Sequence, residues 1–278
     1  MSSLDAGAIR DSLREDVAAR LSRFEVFPEI ASTNTHLMEQ DAPPPGQARV
    51  AITDNQTMGR GRHGRTWQSP PGSGLCVSVA YTFAVHPANL PALTLAIGLG
   101  AIDALERLGV SGVQLKWPND LIAEDGKLGG ILTETKSHVS GAISIVSGLG
   151  INVNLGEKPD FDFETDRTRG VADLAGFVAT LPSRHTLAAR LIEGLCQAFL
   201  DYEADGFEYF AQYWPDRDWL FGRSLTLDTA QCEVSVIGAG IDQDGGVLVA
   251  TGSSAVSRVT SGWLFLDGIL EGDVCMRC

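Results

Sequence analysis

Residues 59–67 have the sequence GRGRHGRTW, in which Arg60, Arg62, His63 and Arg65 are interspersed with glycines between two strand-like runs. Glycine allows backbone conformations and mobility that other residues lack, and arginine forms planar, bidentate hydrogen bonds to phosphate or carboxylate. We therefore predict a mobile loop, called the arginine loop from here on, that becomes ordered around a small anionic ligand. It lacks the Gly-Lys-Ser/Thr ending of a Walker A loop. The alternatives are an RNA-binding Arg/Gly segment and a solvated glycine turn with incidental arginines.

The chain as a whole is acidic, which makes this basic cluster conspicuous. Its 278 residues carry a formal net charge of −14, with 44% hydrophobic and 20% charged residues. This composition is typical of a globular protein with a sizeable core, and the charge argues against nucleic-acid binding by the whole surface. The N-terminus has no signal-peptide core, and no run approaches the ~18 apolar residues that span a bilayer.

The five cysteines are mostly scattered along the chain, which favours reduced thiols and a cytoplasmic protein over a disulfide framework. Cys275 and Cys278 form a C-x-x-C pair. A structural zinc site needs four ligands and the sequence has no second pair, so residues 271–278 are predicted to be a tail without a metal.

Hydrophobic periodicity predicts a mixed α/β domain followed by a small β-barrel. The expected helices are 5–21, 33–39, 91–108, 187–202 (N-cap Ser183 or Thr186, followed by Gly206) and 207–214. The expected strands are 50–54, 75–83 with one buried face, 113–117, 128–134 and 142–153. Residues 41–46 (DAPPPG) form a loop because three prolines fit neither a helix interior nor a central strand. The barrel has short strands at 224–227, 233–237, 247–251 and 263–266, with 240–246 as a hairpin connection.

A second group of polar residues surrounds a predicted turn. Lys116–Asp120 (KWPND) is followed by Lys127–Gly130 (KLGG). Pro118 ends a strand and puts Asn119 and Asp120 at its mouth, where polar groups can contact a ligand. The paired glycines let a ligand approach the backbone. On spacing alone, a strand end with a solvated lysine is an equal alternative.

A third motif combines glycines with asparagines inside a strand. In the run IVSGLGINVN (145–154), Gly148 and Gly150 occupy positions that should otherwise be bulky, and they permit close backbone approach. Asn152 and Asn154 lie on one face by the two-residue period of a strand.

A fourth motif is the helix start at 32–34 (STN), where hydroxyl and amide groups can face a polar ligand. Taken alone it is only an N-cap. The sequence contains no G-x-S-x-G, no H-E-x-x-H and no convincing Cys/His pairing. We therefore expect chemistry in which arginine, lysine and backbone groups stabilise a reacting phosphate.

These four motifs, in this order, resemble the catalytic module of the biotin–protein ligases. The resemblance covers about Phe24 to Trp219 and rests on STN, Gln56, GRGRHGR, KWPND, KLGG and SGLGIN. It implies an α/β (α+β) fold: a class II synthetase-like catalytic domain with a mixed sheet and flanking helices, then an SH3-like barrel. The implied boundaries are 1–23 for an N-terminal helical extension, 24–219 for the catalytic domain, 220–270 for the SH3-like domain and 271–278 for the tail. The family loop usually has arginine where this chain has His63.

The resemblance implies two half-reactions. The carboxylate of biotin attacks the α-phosphate of Mg-ATP to give biotinyl-5′-AMP, and a lysine of a biotin carboxyl carrier domain then takes the biotinyl group. With about 23 residues before the catalytic module and an acidic net charge, we expect no DNA-binding domain and no repressor function. A lipoate–protein ligase and an RNA-binding regulatory module are the rival interpretations. A homodimer is compatible with the resemblance but is not decided by the sequence.

The resemblance also implies roles for individual residues, with Lys127 and Arg62 as the catalytic pair. The expected biotin-binding residues are Ser32, Thr33, Asn34, Gln56, Gly59, Arg60, Gly61, Arg62, Lys127, Gly130 and Gly148. The expected ATP- and adenylate-binding residues are Arg62, His63, Arg65, Trp67, Lys116, Asn119, Asp120, Lys127, Gly150 and Asn152. Magnesium is expected to enter with ATP, near Asp120, rather than to occupy a site built by the protein alone.

Overall fold

The protein is described by a computed structural model that covers residues 4–68, 70–87, 89–137, 143–156, 170–228, 233–251, 255–259 and 263–266. The helices are α1 (Ala6–Ser12), α2 (Glu15–Ala18), α3 (Thr33–Glu39), α4 (Leu93–Glu106), α5 (Arg184–Asp205) and α6 (Glu208–Ala211), with 3-10 turns at Arg62–Gly64, Leu90–Ala92 and Leu174–Gly176. Among the described residues, no helix combines the length and apolar character needed to cross a lipid bilayer.

A seven-stranded mixed sheet forms the larger unit and confirms the expected α/β class. Its strands are β1 (Leu21–Phe27), β2 (Ala48–Thr53), β3 (Gly74–Thr82), β4 (Val113–Lys116), β5 (Asp120–Ala123), β6 (Gly126–Ser137) and β7 (Ile143–Asn152), in the order β1-β2-β3-β7-β6-β5-β4. β1 pairs with β2 in parallel, and the other neighbouring pairs are antiparallel.

One face of this sheet packs against α4 and α5 and forms the main core. Ile52, Val77 and Leu149 belong to that core, and because side chains alternate along a strand, their neighbours point to the other face. α4 and α5 approach closely, since a Cβ atom on Gly100 would lie 2.5 Å from the backbone oxygen of Gly194. The face away from these helices carries the candidate site.

The C-terminal strands form a separate five-stranded antiparallel sheet, consistent with the expected SH3-like barrel. They are β8 (Ser224–Asp228), β9 (Glu233–Ile241), β10 (Val247–Thr251), β11 (Ala255–Arg258) and β12 (Trp263–Leu266), in the order β11-β10-β9-β8-β12. Leu225, Val236 and Val249 pack in a small core with Trp219, and this core includes Ile122 of the larger sheet. The barrel therefore packs directly on the strand that follows the KWPND motif.

Elements with strong local signals lie where the sequence predicts them. α3 has the expected bounds, and α5 begins after the expected cap Ser183 and ends at Gly206, whose φ is +67°. The hairpin connection at 240–246 is confirmed, with Gly245 at a φ of +75°. Such backbone angles are the ones that glycine adopts without steric cost.

The predicted helix at 5–21 is wrong. The structure has α1 and α2 instead, separated at Arg14 by an extended backbone conformation, and Leu21 begins β1. The side chain of Glu193 on α5 accepts the backbone N–H of Arg14 at 2.7 Å, which satisfies the donor that a continuous helix would have used. Pairing with β2 then recruits the following residues into the sheet.

The prediction of one buried face for residues 75–83 is also wrong, because β3 is buried on both faces. It is a central strand, with Tyr81 in the main core and Ser78 on the opposite face beneath α3. Three strands, β1, β5 and β11, were not predicted from the sequence. The predicted tail with Cys275 and Cys278 lies outside the described residues.

Candidate active site

The centre of the site is a strip of sheet surface without side chains, which we call the glycine floor. It is formed by Gly130 on β6 and by Gly148 and Gly150 on β7. Gly150 is paired with Gly130 on one side and with Cys76 on the other, and Gly148 is paired with Ser78. Cross-strand partners point to the same face of a sheet, so these positions together lower the surface of the sheet on the face away from α4 and α5.

The indole of Trp67 covers one end of the glycine floor. A Cβ atom on Gly150 would lie 2.5 Å from Trp67 Cε2, so glycine is required there for the ring to approach the strand this closely. A Cβ atom on Gly130 would lie 3.6 Å from Trp67 Cζ3, 3.5 Å from Asp120 Oδ1 and 3.6 Å from Lys127 Cε. Trp67, Asp120 and Lys127 therefore converge over Gly130.

The arginine loop forms a short hairpin over this face. Trp67 N donates to Gly59 O at 3.0 Å, and Gly61 N donates to Arg65 O at 2.8 Å. A Cβ atom on Gly59 would lie 2.2 Å from the backbone oxygen of Trp67, so this glycine allows the two arms to meet. Two backbone hydrogen bonds thus join the arms of the hairpin, and the expected mobility of the loop stays a prediction.

The tip of the arginine loop is exposed to solvent. His63, at a φ of +55°, and Gly64, at +76°, turn the chain there, and the side chains of His63 and Arg65 are exposed. The structure therefore does not bring His63 and Arg65 against the glycine floor, and their expected contact with the nucleotide stays a prediction.

Arg60 and Arg62 reach two different sides of the site. Arg60 Nη2 lies 2.7 Å from Glu134 Oε2 on β6, while Arg62 Nη1 donates to Asn119 Oδ1 at 3.2 Å. Burial lowers the pKa of the Arg62 guanidinium, and the nearby charge of Asp120 opposes that shift. Arginine remains protonated in proteins, so the loop presents two separate cations to an anionic ligand.

Lys127 is held in place through both its side chain and its backbone. Its Nζ lies 3.1 Å from Asp120 Oδ1, and both side chains are largely buried. Its carbonyl accepts the N–H of Ala172 at 3.0 Å and the side-chain amide of Asn152 at 3.1 Å. The Asn152 Nδ2 group also donates to Ala172 O at 3.0 Å. Asn152 therefore supports Lys127 from below, and its two amide hydrogens do not point toward a phosphate.

The expectation that Asn152 and Asn154 point to one strand face is wrong. β7 ends at Asn152, and Asn154 lies beyond it, where its Oδ1 accepts the N–H of Gly156 at 3.1 Å. A two-residue period holds only while the strand continues.

A cluster of polar side chains, which we call the polar pocket, lies beside the glycine floor; in it Thr33, Asn34 and Ser78 are buried and Gln56 is half-buried. Gln56 Oε1 accepts from Thr33 N at 2.8 Å and from Thr33 Oγ1 at 3.1 Å. Ser78 Oγ lies within hydrogen-bond distance of Thr33 Oγ1, at 2.7 Å, and of Asn34 Oδ1, at 2.6 Å. Ser32 is the N-cap of α3 and accepts from the N–H of Thr35 at 3.3 Å. Buried polar groups require partners, and a small ring with its own N–H and C=O groups could join this set.

Gly148 has a structural function that the sequence did not indicate. A Cβ atom there would lie 2.1 Å from Asn34 Oδ1, so the glycine makes room for the Asn34 side chain, and its expected contact with biotin stays a prediction. Lys116 also departs from expectation. It is buried, and its Nζ lies 5.7 Å from the ring centroid of Trp219, so it faces the segment that leads into the barrel.

Two residues of the site were not identified from the sequence. Ser78 is the polar position of β3 that the alternating pattern assigned to solvent, yet it is fully buried in the polar pocket. Glu134 contacts both Arg60 and Asn34, and nothing in its sequence context signals this. Among the described residues, no three His, Cys, Asp or Glu side chains cluster in a way that could hold a metal ion.

Comparison with known proteins yields a consistent set of relatives. The model of the "Biotin/lipoate A/B protein ligase family" matches residues 26–152, which include the glycine floor, the arginine loop and the polar pocket. The chain is 35% identical over 227 residues to the bifunctional ligase/repressor BirA of Escherichia coli, covering 81% of this chain and 68% of that protein. It is 30% identical over 230 residues to a biotin–[acetyl-CoA-carboxylase] ligase of Mycobacterium tuberculosis, covering 81% and 79%.

The fold also matches a solved structure, the biotin protein ligase from Aquifex aeolicus in complex with biotin and ATP. The TM-score is 0.71 at 26% identity, with 89% of this chain and 99% of that chain covered. The mixed sheet and the C-terminal sheet therefore occur together in a protein that was solved in complex with biotin and ATP.

Proposed function

Because the chain belongs to the biotin/lipoate A/B protein ligase family and is a ligase, we propose that it forms biotinyl-5′-AMP from biotin and ATP and transfers biotin to a lysine of a biotin carboxyl carrier domain. One observation carries the proposal: the arginine loop places Arg60 beside the polar pocket and Arg62 beside Asn119, near the Lys127–Asp120 pair. A single ligand with a polar ring at one end and an activated carboxylate at the other would contact all of them.

The polar pocket suits the ureido ring of biotin. Thr33, Gln56 and Ser78 already form a buried hydrogen-bonded chain whose hydroxyl and amide groups can rearrange around a ring that both donates and accepts. Along β7 the pocket and the Lys127 end of the glycine floor are separated by the step from Gly148 to Gly150, about 7 Å at the rise of a strand. The aliphatic chain of biotin is long enough to bridge that step.

In the first half-reaction a carboxylate oxygen of biotin bonds to the α-phosphorus of ATP, and the bond to the bridging oxygen breaks to release pyrophosphate. Negative charge accumulates on the phosphate oxygens in the transition state. Lys127, above Gly130, and Arg62, beside Asn119, are the cations assigned to stabilise this charge, and preorganised groups of this kind are usually the largest contribution to catalysis. Asp120 orients the ammonium group through the 3.1 Å contact.

In the second half-reaction the ε-amine of the acceptor lysine attacks the carbonyl of the mixed anhydride. The new amide bond forms, the bond from the carbonyl carbon to the phosphate oxygen breaks, and AMP leaves. Until then the intermediate must be protected from water. The arginine loop lies over the same face as the glycine floor, so it is suited to exclude water from the adenylate.

Magnesium is proposed to enter with ATP and to shield the phosphates. The described residues offer no protein-only cluster of ligands, which suits an ion that is held mainly by substrate phosphates and water. Asp120 is the carboxylate at the glycine floor that could contribute to its binding. We also assign the exposed face of the Trp67 indole to the adenine ring.

Biotin is favoured over lipoate because of the polar pocket. The dithiolane ring of lipoate has no N–H or C=O group, so Ser78, Thr33 and Gln56 would gain no partner from it. Sites built to hydrogen-bond a substrate reject analogues that lack the matching groups.

The acceptor docking surface is assigned to the barrel, residues 220–270, and the catalysis to residues 24–219.

A role without transcriptional repression, in the cytoplasm, is part of the proposal. The formal net charge of −14 disfavours binding to DNA. Cys76 and Cys196 are both buried, and reduced thiols are expected in that compartment.

The acid specificity is tested by ATP–pyrophosphate exchange with biotin, with lipoate and without an acid. We expect exchange that depends on biotin and is at least about a hundredfold slower with lipoate, since unpaired polar groups cost at least that much in selectivity. Equal or faster exchange with lipoate would replace the proposal with a lipoate–protein ligase. Salt-sensitive RNA binding without any exchange would support the regulatory alternative.

A further inference from the structure

Glu134 contacts the arginine loop but has no part in the proposed chemistry. It lies on β6, and its Oε2 accepts from Arg60 Nη2 at 2.7 Å and from Asn34 Nδ2 at 3.0 Å. Its side chain is 23% exposed, against 43% for Arg60. One carboxylate oxygen thus joins the arginine loop to the start of α3.

Asn34 is fixed on its other sides as well. Its Nδ2 donates to Leu132 O at 2.9 Å, and its Oδ1 lies 2.6 Å from Ser78 Oγ. The side chain fills the space above Gly148, where a Cβ atom would lie 2.1 Å away. Because Asn34 is held by hydrogen bonds to Leu132 and Ser78, the oxygen of Glu134 that it binds has a defined position relative to the polar pocket.

This arrangement differs from an ordinary surface ion pair. Exposed Arg–Glu pairs contribute little because two flexible side chains must be ordered together. Here the carboxylate is already oriented by Asn34, so only the arginine must be ordered. A guanidinium group has five N–H donors, and the contact to Glu134 is made through Nη2. The remaining donors of Arg60 are thus held at the edge of the polar pocket in a fixed direction.

We propose that Glu134 is a positioning residue that orients Arg60 before the acid substrate binds, so that the arginine loop receives the substrate without first having to be ordered. This rests on the proposed function in that the acid is taken to be biotin. Glu134 does not contact the substrate. Its effect is on the binding of the acid rather than on the chemical step, because a preorganised loop loses less freedom on binding.

The test is the substitution Glu134→Gln, which keeps the size of the side chain and an oxygen acceptor for Asn34 but removes the charge that binds Arg60. In ligand-free enzyme, tryptic cleavage within the arginine loop, quantified by mass spectrometry, should become roughly fivefold faster, because a charge-assisted hydrogen bond is replaced by a neutral one. The KM for biotin should rise by a similar factor, about fivefold, while kcat stays within about twofold.

Glu106→Gln is the matched control. Glu106 forms an ion pair with Arg217, with Oε1 2.7 Å from Nη2, and both side chains are about as exposed as those of the Glu134 pair. Loop cleavage at the rate of this control, or an unchanged KM for biotin in Glu134→Gln, would overturn the proposal. A wild-type enzyme that does not use biotin would instead contradict the proposed function. The two failures are distinguishable, because biotin use is measured with the wild-type enzyme and loop cleavage is measured without ligand.

Discussion

Lys127 Nζ lies 3.1 Å from Asp120 Oδ1, directly above the backbone of Gly130. The two residues come from neighbouring antiparallel strands, β6 and β5, and the absence of a side chain at Gly130 leaves space in front of them. The carboxylate beside the ammonium holds Lys127 in one orientation. The pair therefore presents a fixed cation to whatever phosphate lies on the glycine floor.

Lys127→Ala is expected to abolish most of the adenylation. Loss of one preorganised contact to a transition-state charge typically costs about 2.7–4 kcal/mol, or roughly a hundred- to a thousandfold in rate. The measurement is biotin-dependent ATP–pyrophosphate exchange. Arg107→Ala removes a positive charge from an exposed ion pair with Asp103 and serves as the control. Wild-type exchange in Lys127→Ala would remove Lys127 from the mechanism.

Arg62→Gly is expected to release the adenylate into solution. Arg62 ties the arginine loop to Asn119, and without this contact the loop no longer closes over the intermediate. Free biotinyl-adenylate acylates any accessible lysine, so bystander proteins in the reaction should become biotinylated. Streptavidin blots of a mixture with an unrelated lysine-rich protein would show it. Labelling that stays confined to the carrier domain would argue against loop closure as the protecting step.

Gly150→Ala is expected to displace Trp67 and weaken nucleotide binding. The new Cβ atom would lie 2.5 Å from the indole, too close for the ring to stay in place. Gly176→Ala, outside the site, is the control, since its Cβ atom would make one ordinary contact, at 3.7 Å with Asp173 Oδ1. The KM for ATP should rise markedly in the first variant and much less in the second. Equal effects would show that the position of Trp67 does not matter for the nucleotide.

Trp219→Ala is expected to destabilise the junction with the barrel. Trp219 is 1% exposed and belongs to the core that joins β5 to the barrel strands. Large-to-small changes at such positions cost about 3–5 kcal/mol in the free energy of unfolding. Urea denaturation measures the loss. Phe221→Ala, at a neighbouring aromatic that is 64% exposed, is the control and should change the free energy by far less.

Asp218→Asn is expected to stabilise the fold at neutral pH. Burial raises the pKa of Asp218 above its ordinary value of 3.8. A carboxyl group whose folded-state pKa is raised favours folding while it is protonated, and this contribution is lost as the pH rises from 3.8 to the folded-state pKa. The advantage of the asparagine variant should therefore grow as the pH rises from about 3.8 and then level off. Denaturation of both proteins at pH 4 and pH 7 tests this, and an advantage that shrinks with rising pH would contradict it.

The elements that the sequence predicts well are those with local causes. α3 follows from its N-cap Ser32, and the 240–246 connection follows from an Asp-Gly turn. β1 was missed because its parallel pairing with β2 involves residues more than twenty positions away. Period alone cannot separate a short helix from a strand when a distant partner decides the outcome.

The site shows the same division. Lys127, Arg62 and the polar pocket around Thr33 were expected from motifs, and the structure brings them to one face of the sheet. The function of Gly148 depends on the side chain of Asn34, and that of Glu134 on Arg60. These pairs are separated by many residues in sequence. Physical contact between distant segments is not encoded in the composition of either segment.

The most direct test of the central claim is transfer itself. Purified protein is incubated with ATP, biotin and a biotin carboxyl carrier domain, beside a carrier whose acceptor lysine is replaced by arginine, and intact masses are measured. We expect one biotinyl group on the lysine-containing carrier, dependent on ATP, and none on the arginine variant. No biotinylation of the intact carrier under conditions in which a known biotin ligase modifies it would contradict the proposed function.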